Sequence, residues 1–208
     1  METTTSLQPE ITSETIGTIY QRRAIRKYKD KPVDQELILR IINAGRMAPS
    51  AINKQPWKFY VLTDKALIKS FAKEIAAAAL KGFAKSGIRN IIKSATNLLH
   101  FSHGFDYHSL EDPVFHGAPV VIFLTGPRDN EWASLDIGMC AQNMMLASKT
   151  FGLDSCPIGF AKFVEKTKLF PKLKVPDSEQ VFLALIVGYG DESPELHERK
   201  KDNIIFIH

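Results

Sequence analysis

The chain of 208 residues has few cysteines and no long apolar run, and it does not begin with basic residues followed by an apolar segment. Its two cysteines, Cys140 and Cys156, are too few for a disulfide framework, and no nearby His or Cys completes a zinc pattern. No stretch approaches the roughly 20 apolar residues that span a bilayer. The start of the chain also lacks the pattern of a secretory signal. We therefore expect a cytoplasmic protein with no membrane partner and no bound metal.

The composition suits a globular protein, because 44% of the residues are hydrophobic and the net charge is only +4. Much of the positive charge is concentrated in residues 22–31, where six Arg and Lys residues face Asp30 alone. A nucleic-acid-binding surface usually spreads its basic residues along a face with interleaved aromatics. We therefore expect no nucleic-acid partner, although a protein that binds nucleic acid through this run remains an alternative.

Hydrophobic periodicity predicts alternating helices and strands. We expect residues 1–12 to be a disordered tail and residues 13–208 to form a single domain. Ser13 and Asp34 are predicted to cap the first two helices. The other predicted elements are strands at 57–62, 119–124 and 181–187 and two helices within 64–99 that are broken near 82–87. A long helix at 131–151 is apolar nearly all round, so we expect it to run through the centre of the fold or of a dimer interface, with Trp132 as a packing residue.

The apolar run at residues 204–207 would be an aggregation hazard if it stayed exposed. It is therefore expected to pair with a sheet edge. That edge can belong to the same subunit or to a second one, and the sequence leaves both open.

Two polar patterns indicate a binding site. Arg22, Arg23 and Arg26 follow the first predicted helix, and their guanidinium groups match phosphate oxygens in geometry. Alone, such a run is more often a solvated basic face. The second pattern is the loop at residues 49–55, here called the polar loop, and on its own it resembles an ordinary turn.

Six motifs occur together in one order. They are RRAIR at 22–26, APSAINKQPW at 48–57, GAPVV at 117–121, DIGMCAQN at 136–143, PIGF at 157–160 and IVGY at 186–189. In combination they resemble the FMN-dependent nitroreductase family. The resemblance implies an α+β fold with a central, mostly antiparallel sheet surrounded by helices, in an intertwined homodimer.

The resemblance also implies the roles of particular residues. The arginine motif would hold the FMN phosphate and the pyrimidine edge of the ring, the polar loop would cover the flavin from the partner subunit, and the PIGF motif would line the ring. The implied cofactor-binding residues are Arg22, Arg23, Ala24, Arg26, Pro49, Ser50, Ala51, Asn53, Gln55, Pro157, Ile158, Gly159 and Arg199.

Aromatic and histidine residues mix in the segment 100–116. We expect a lid over the flavin, in which Phe101, Phe105 and Tyr107 stack on flat substrates. The irregular spacing of the histidines argues against a metal site. Cys140 is expected to be a small core residue, whereas a redox role for Cys156 stays open.

The expected activity is transfer of hydride from NADH or NADPH through FMN to a nitroaromatic, quinone or similar small-molecule electron acceptor, in a ping-pong sequence. The flavin supplies the chemistry, so no dedicated catalytic side chain is expected. The alternatives are a related flavin enzyme with a narrow substrate, for dehalogenation or enone reduction, and a non-enzymatic flavin-binding protein.

Overall fold

The computed structural model describes residues 13–85, 112–200 and 202–207. The predicted disordered tail at 1–12 lies outside the described residues. In the described part, no helix is long and apolar enough to cross a membrane.

The first two helices begin at the predicted caps. α1 spans Glu14–Gln21, and the Ser13 hydroxyl accepts a hydrogen bond from the Ile16 N–H at 3.2 Å. α2 spans Gln35–Arg46, and the Asp34 carboxylate accepts from the Glu36 N–H at 2.8 Å. Each cap satisfies an N–H that the helix itself leaves without a partner. Both capping predictions are confirmed.

Two longer helices follow in the chain. α3 spans Lys65–Lys85 and passes through Gly82 without a break, so the helix ends no earlier than Lys85. α4 spans Ala133–Thr150. Short 3₁₀-helices lie at Ala51–Asn53, Gly159–Lys166 and Phe170–Leu173.

A four-stranded antiparallel sheet forms the centre of the molecule. Its strands are β1 (Lys58–Leu62), β2 (Val120–Pro127), β3 (Asp154–Ile158) and β4 (Glu179–Gly188), in the order β1-β2-β4-β3. The predicted antiparallel α+β arrangement and three predicted strands are confirmed. Strand β3 was not predicted, because its sequence DSCPI has no run of strand-forming residues.

Helices cover both faces of this sheet. Along β2, the alternate residues Val120, Ile122 and Leu124 pack with α2 and α4. Val121 and Phe123 point to the other face, where they pack with α3 and two of the 3₁₀-helices. The fully buried strand explains its continuous apolar sequence.

Helix α4 is buried on one side only. Ile137, Cys140 and Met144 are fully buried, and the prediction that Cys140 is a core residue is confirmed. Trp132, by contrast, is 52% exposed and Leu135 is 56% exposed. Trp132 therefore does not lie in the core of the described chain, because no described element covers this side of the helix start; the other predicted place for this helix, a dimer interface, stays a prediction.

The carboxyl-terminal run does not join the sheet. Residues 204–207 belong to no strand in the described part of the chain, and Ile205 and Ile207 are largely exposed. Pairing of this run within its own subunit is thus not observed.

Candidate functional site

The arginine motif lies along one edge of the sheet. Ala24 forms a parallel bridge with Ser155 of β3, and the Ile25 N–H donates to the Ser155 carbonyl at 3.2 Å. The following residues pair with the chain just beyond β4, through the bridge of Tyr28 with Gly190. We call residues 22–26, together with Ser155, the arginine corner.

The basic run separates into two groups. Lys27 pairs with Asp191 at 3.1 Å, and the Lys31 ammonium lies 3.9 Å from the centre of the Tyr189 ring. In contrast, the Arg22 and Arg26 guanidinium groups form no ion pair with any described residue. Lys27 and Lys31 therefore contact the segment that directly follows β4, whereas the Arg22 and Arg26 guanidinium groups have no described anionic partner.

Arg23 is partly engaged in structure. Its Nη1 donates to the Tyr20 carbonyl at 2.6 Å and to the Arg22 carbonyl at 2.9 Å, at the carboxyl end of α1. A cation suits this end of a helix, where carbonyl groups lack partners. Its Nε is buried and has no hydrogen-bond partner in the described part of the chain.

A thiol and a carboxylate lie beside the arginine corner. Glu192 accepts a hydrogen bond from the Arg26 N–H. Burial raises the pKa of the Cys156 thiol, and the charges of Arg26 and Arg22 oppose this only in part. Since the thiolate is the reactive form, Cys156 is not primed as a nucleophile.

The end of β3 is open to solvent. Pro157 and Gly159 are exposed, whereas Ile158 is buried in the core on the α3 side of the sheet. A Cβ added at Gly159 would meet no atom of the described residues within 4 Å. The backbone here leaves room for a flat group to approach.

The polar loop has an unusual backbone. Ile52, Asn53 and Gln55 have φ angles of 46°, 56° and 45°, in the left-handed region that residues with side chains rarely adopt. The Ser50 hydroxyl accepts from the Gln55 N–H at 3.0 Å. The Ala51 N–H donates to the buried Asp136 carboxylate of α4 at 3.2 Å.

In one chain, the polar loop and the arginine corner lie at opposite corners of the sheet. The register joins Lys58 of β1 to Val181 of β4, and Ser155 of β3 to Val187. Val181 and Val187 are six residues apart on β4, which is about 20 Å along the strands. Across the sheet, Lys58 and Ala24 are four strand spacings apart, which is about 19 Å. The structure therefore does not bring these two halves of the predicted site together within one subunit.

The remaining predicted residues fall elsewhere. Arg199 is exposed on the tail, where its Nη1 donates to the His197 carbonyl at 2.6 Å, and it makes no described contact with the arginine corner. The lid residues Phe101, Phe105 and Tyr107 lie outside the described residues. Within the described ranges, no group of His, Cys, Asp or Glu could hold a metal ion.

Asp136 and Glu192 were missed by the sequence interpretation. Each contacts a predicted site residue that is far away in the chain, 85 and 166 positions respectively. The one available signal was Asp136 itself, a carboxylate on the apolar side of a helix, where charged residues are rarely buried without a partner.

The fold and the site together define an α+β protein with helices on both faces of an antiparallel sheet and, at one edge, two arginines that form no ion pair with a described residue. The pattern of the Nitroreductase family matches residues 19–189. The chain belongs to the nitroreductase family.

Particular relatives agree with this assignment. The chain is 30% identical to the nitrobenzene nitroreductase of Ectopseudomonas oleovorans, over 84% of this chain and 86% of the relative. It is 27% identical to the chloronitrobenzene nitroreductase of Comamonas testosteroni, over 89% and 91%. The structure of a nitroreductase with bound FMN from Bacteroides fragilis NCTC 9343 superposes with a TM-score of 0.74 at 24% identity, over 95% of this chain and 100% of that one.

Proposed function

We propose that the protein is an FMN-dependent oxidoreductase that uses NADH or NADPH to reduce nitroaromatic compounds, quinones or similar acceptors. The names of the relatives support nitroaromatic acceptors. The observation that carries the proposal is the pair of guanidinium groups, those of Arg22 and Arg26, that form no ion pair with any described residue and flank the backbone contact of residue 24 with Ser155 of β3.

The residues present fit FMN. Arg22 offers a fork of donors for the phosphate, and the buried Nε of Arg23 lacks an acceptor among the described residues. The backbone at Gly159 is open, because a Cβ there would meet no described atom within 4 Å, and we assign this side to the flavin ring. Arg26 would supply positive charge at the pyrimidine edge, where it stabilises negative charge. FMN, when bound, supplies the hydride chemistry, and we assign the protein binding, orientation and charge.

The full set of proposed cofactor contacts is that of the sequence analysis: Arg22, Arg23, Ala24, Arg26, Pro49, Ser50, Ala51, Asn53, Gln55, Pro157, Ile158, Gly159 and Arg199. No side chain is assigned as a general base, since solvent can deliver the protons. A single place for nicotinamide and acceptor gives ping-pong kinetics. The cytoplasmic location and the single domain of residues 13–208 stay predictions.

A homodimer follows from the same proposal. Because the polar loop lies at the opposite corner of the sheet from the arginine corner, one FMN can contact both only when the loop belongs to a second copy. Strand β1 is an edge strand, and Val61 on it is 40% exposed. The exposed run 204–207 of a second copy supplies a partner for that edge.

The first experiment is the visible spectrum of the purified protein. A yellow protein that NADH or NADPH bleaches without oxygen, and that nitrobenzene, 4-nitrobenzoate or a quinone then reoxidises, is the expected result. Parallel lines in double-reciprocal plots would support a single binding site that the nicotinamide and the acceptor occupy in turn. A colourless protein with no affinity for added FMN would overturn the proposal.

The two-copy site has its own test. Arg22→Ala and Asn53→Ala are expected to impair the enzyme separately. When the two variants are mixed and allowed to exchange subunits, each heterodimer contains one site with both residues intact. Recovery of activity on mixing supports the shared site, whereas mixtures as impaired as the parents would place both residues in one subunit's site.

A further inference from the structure

Asp136 is a buried carboxylate in an otherwise apolar place. It lies in the first turn of α4, is 1% exposed, and has Ile137 and Cys140 as core neighbours on the same helix. One oxygen accepts the Ala51 N–H at 3.2 Å, and the other has no partner among the described residues.

The polar loop depends on this contact. Its other hydrogen bonds in the described part of the chain are internal, such as those from Gln55 to Ser50 and to Asn53. The side chain of Ile52 is 87% exposed and so does not fix the loop by packing. Because Ile52 is β-branched and has φ of 46°, the loop holds an unfavourable backbone that must be stabilised from outside.

We propose that Asp136 is a positioning residue for the cofactor site. It fixes the Ala51 backbone and thereby holds the polar loop in the conformation in which Ser50 and Asn53 meet FMN in the other subunit. The inference rests on the proposed function, and it adds a residue that itself touches neither cofactor nor substrate. A carboxylate that only fills the core would leave the loop and the FMN affinity unaffected when replaced.

Three variants separate the positioning role from a structural one. Asp136→Ala removes the acceptor, whereas Asp136→Asn keeps a side-chain oxygen in the same place. Ala51→Pro removes the donor without altering α4, at the first position of a 3₁₀-helix, where the ring is tolerated. The matched control is Glu74→Ala, which deletes a carboxylate that accepts the Leu169 N–H, also at 3.2 Å, away from the proposed site.

Two measurements are made on each variant of the full chain. Hydrogen exchange of residues 48–57 is followed in the FMN-free protein, and the Kd for FMN is measured by quenching of flavin fluorescence. Asp136→Ala and Ala51→Pro are expected to speed exchange in the loop at least tenfold and to weaken FMN binding about tenfold, which corresponds to about 1.4 kcal/mol. Asp136→Asn should stay within about threefold of the wild type, and Glu74→Ala should change neither quantity.

Unchanged loop exchange in both Asp136→Ala and Ala51→Pro would overturn the inference, and so would FMN affinity as weak in Glu74→Ala as in Asp136→Ala. If Asp136→Ala does not fold, hydrogen exchange of the loop in Ala51→Pro decides, because Ala51 is itself a proposed cofactor contact and its replacement can weaken FMN binding directly. Failure of the proposed function can be told apart from failure of this inference. A wild-type protein that binds no FMN would overturn the proposed function, but its hydrogen exchange would still show whether Asp136 holds the loop.

Discussion

Arg22 and Arg23 are neighbours in the sequence but lie in different surroundings, and replacing each by alanine should therefore have different consequences. The Arg22 side chain has no ion pair with a described residue. Its backbone N–H, which donates to the Thr18 carbonyl at 3.0 Å, is retained in alanine. Arg23 instead donates twice to carbonyls at the end of α1.

The magnitudes follow from these contacts. Loss of a charge-assisted bond to phosphate costs about 1.5–3 kcal/mol, so Arg22→Ala should raise the Kd for FMN about tenfold to 150-fold. The free energy of unfolding of its FMN-free form should change by less than about 0.5 kcal/mol. Arg23→Ala loses two bonds to backbone carbonyls and should lower that free energy by about 1–3 kcal/mol.

The assay measures the Kd for FMN by fluorescence quenching and the unfolding of the FMN-free protein in urea. Binding to the wild type should weaken with salt, and Arg22→Ala should show a shallower dependence because one charge is missing. FMN affinity within twofold of the wild type in Arg22→Ala would refute the assignment of this arginine to the phosphate. A loss of stability equal to that of Arg23→Ala would refute the claim that its side chain has no structural partner.

Three further predictions concern stability. Gly45→Ala should lower the free energy of unfolding by about 1–3 kcal/mol, because its Cβ would lie 2.6 Å from Cγ of Met144. A Cβ at Gly138 on α4 would meet no described atom within 4 Å, so Gly138→Ala should raise the free energy of unfolding by up to about 1 kcal/mol. Equal effects of the two substitutions on unfolding in urea would contradict the packing of α2 on α4. Lys174→Gly should raise the free energy of unfolding by about 0.5 kcal/mol, because φ of 54° favours glycine, and a clear loss in thermal unfolding would count against this. Burial raises the pKa of Cys140 to about 12 from an ordinary value of 9.0, so its contribution to stability is fully present below about pH 9 and is lost as pH rises toward 12. Cys140→Ala should therefore reduce the fall of the urea midpoint between pH 8 and pH 10.5, and an unchanged slope would exclude this origin.

The elements that the sequence predicted are those fixed by local chemistry. Ser13 and Asp34 cap helices because a side-chain oxygen two or three positions ahead of an N–H is a local arrangement. Strands β2 and β4 were visible as continuous apolar runs. Strand β3 was not, because DSCPI becomes a strand only through pairing with β4, and such pairing depends on residues about 30 positions away.

The features of the candidate site likewise comprise some that the local sequence indicates and some that depend on distant contacts. The residue types of the arginine motif and the polar loop suit phosphate and hydrogen-bonding chemistry, but only the six motifs in one order assigned them to a cofactor site. Which guanidinium is available depends on where α1 ends, since that decides that Arg23 folds back on its carbonyls. Contacts such as that of Ala51 with Asp136 join residues 85 positions apart, and no local pattern in the sequence specifies them.

The long helix shows what hydrophobic periodicity can and cannot decide. The apolar pattern around α4 indicated its buried side, but it also predicted burial of Trp132 and Leu135, which the described part of one chain leaves about half exposed. The apolar side of α1 is likewise exposed, at Ile16 and Ile19. The proposed site, divided between opposite corners of the sheet, is a second argument for a dimer, and this argument does not depend on apolar area. The described part of one copy leaves these side chains in water and the polar loop far from the arginines, whereas in the proposed dimer a second copy would cover the side chains and complete the site in one association.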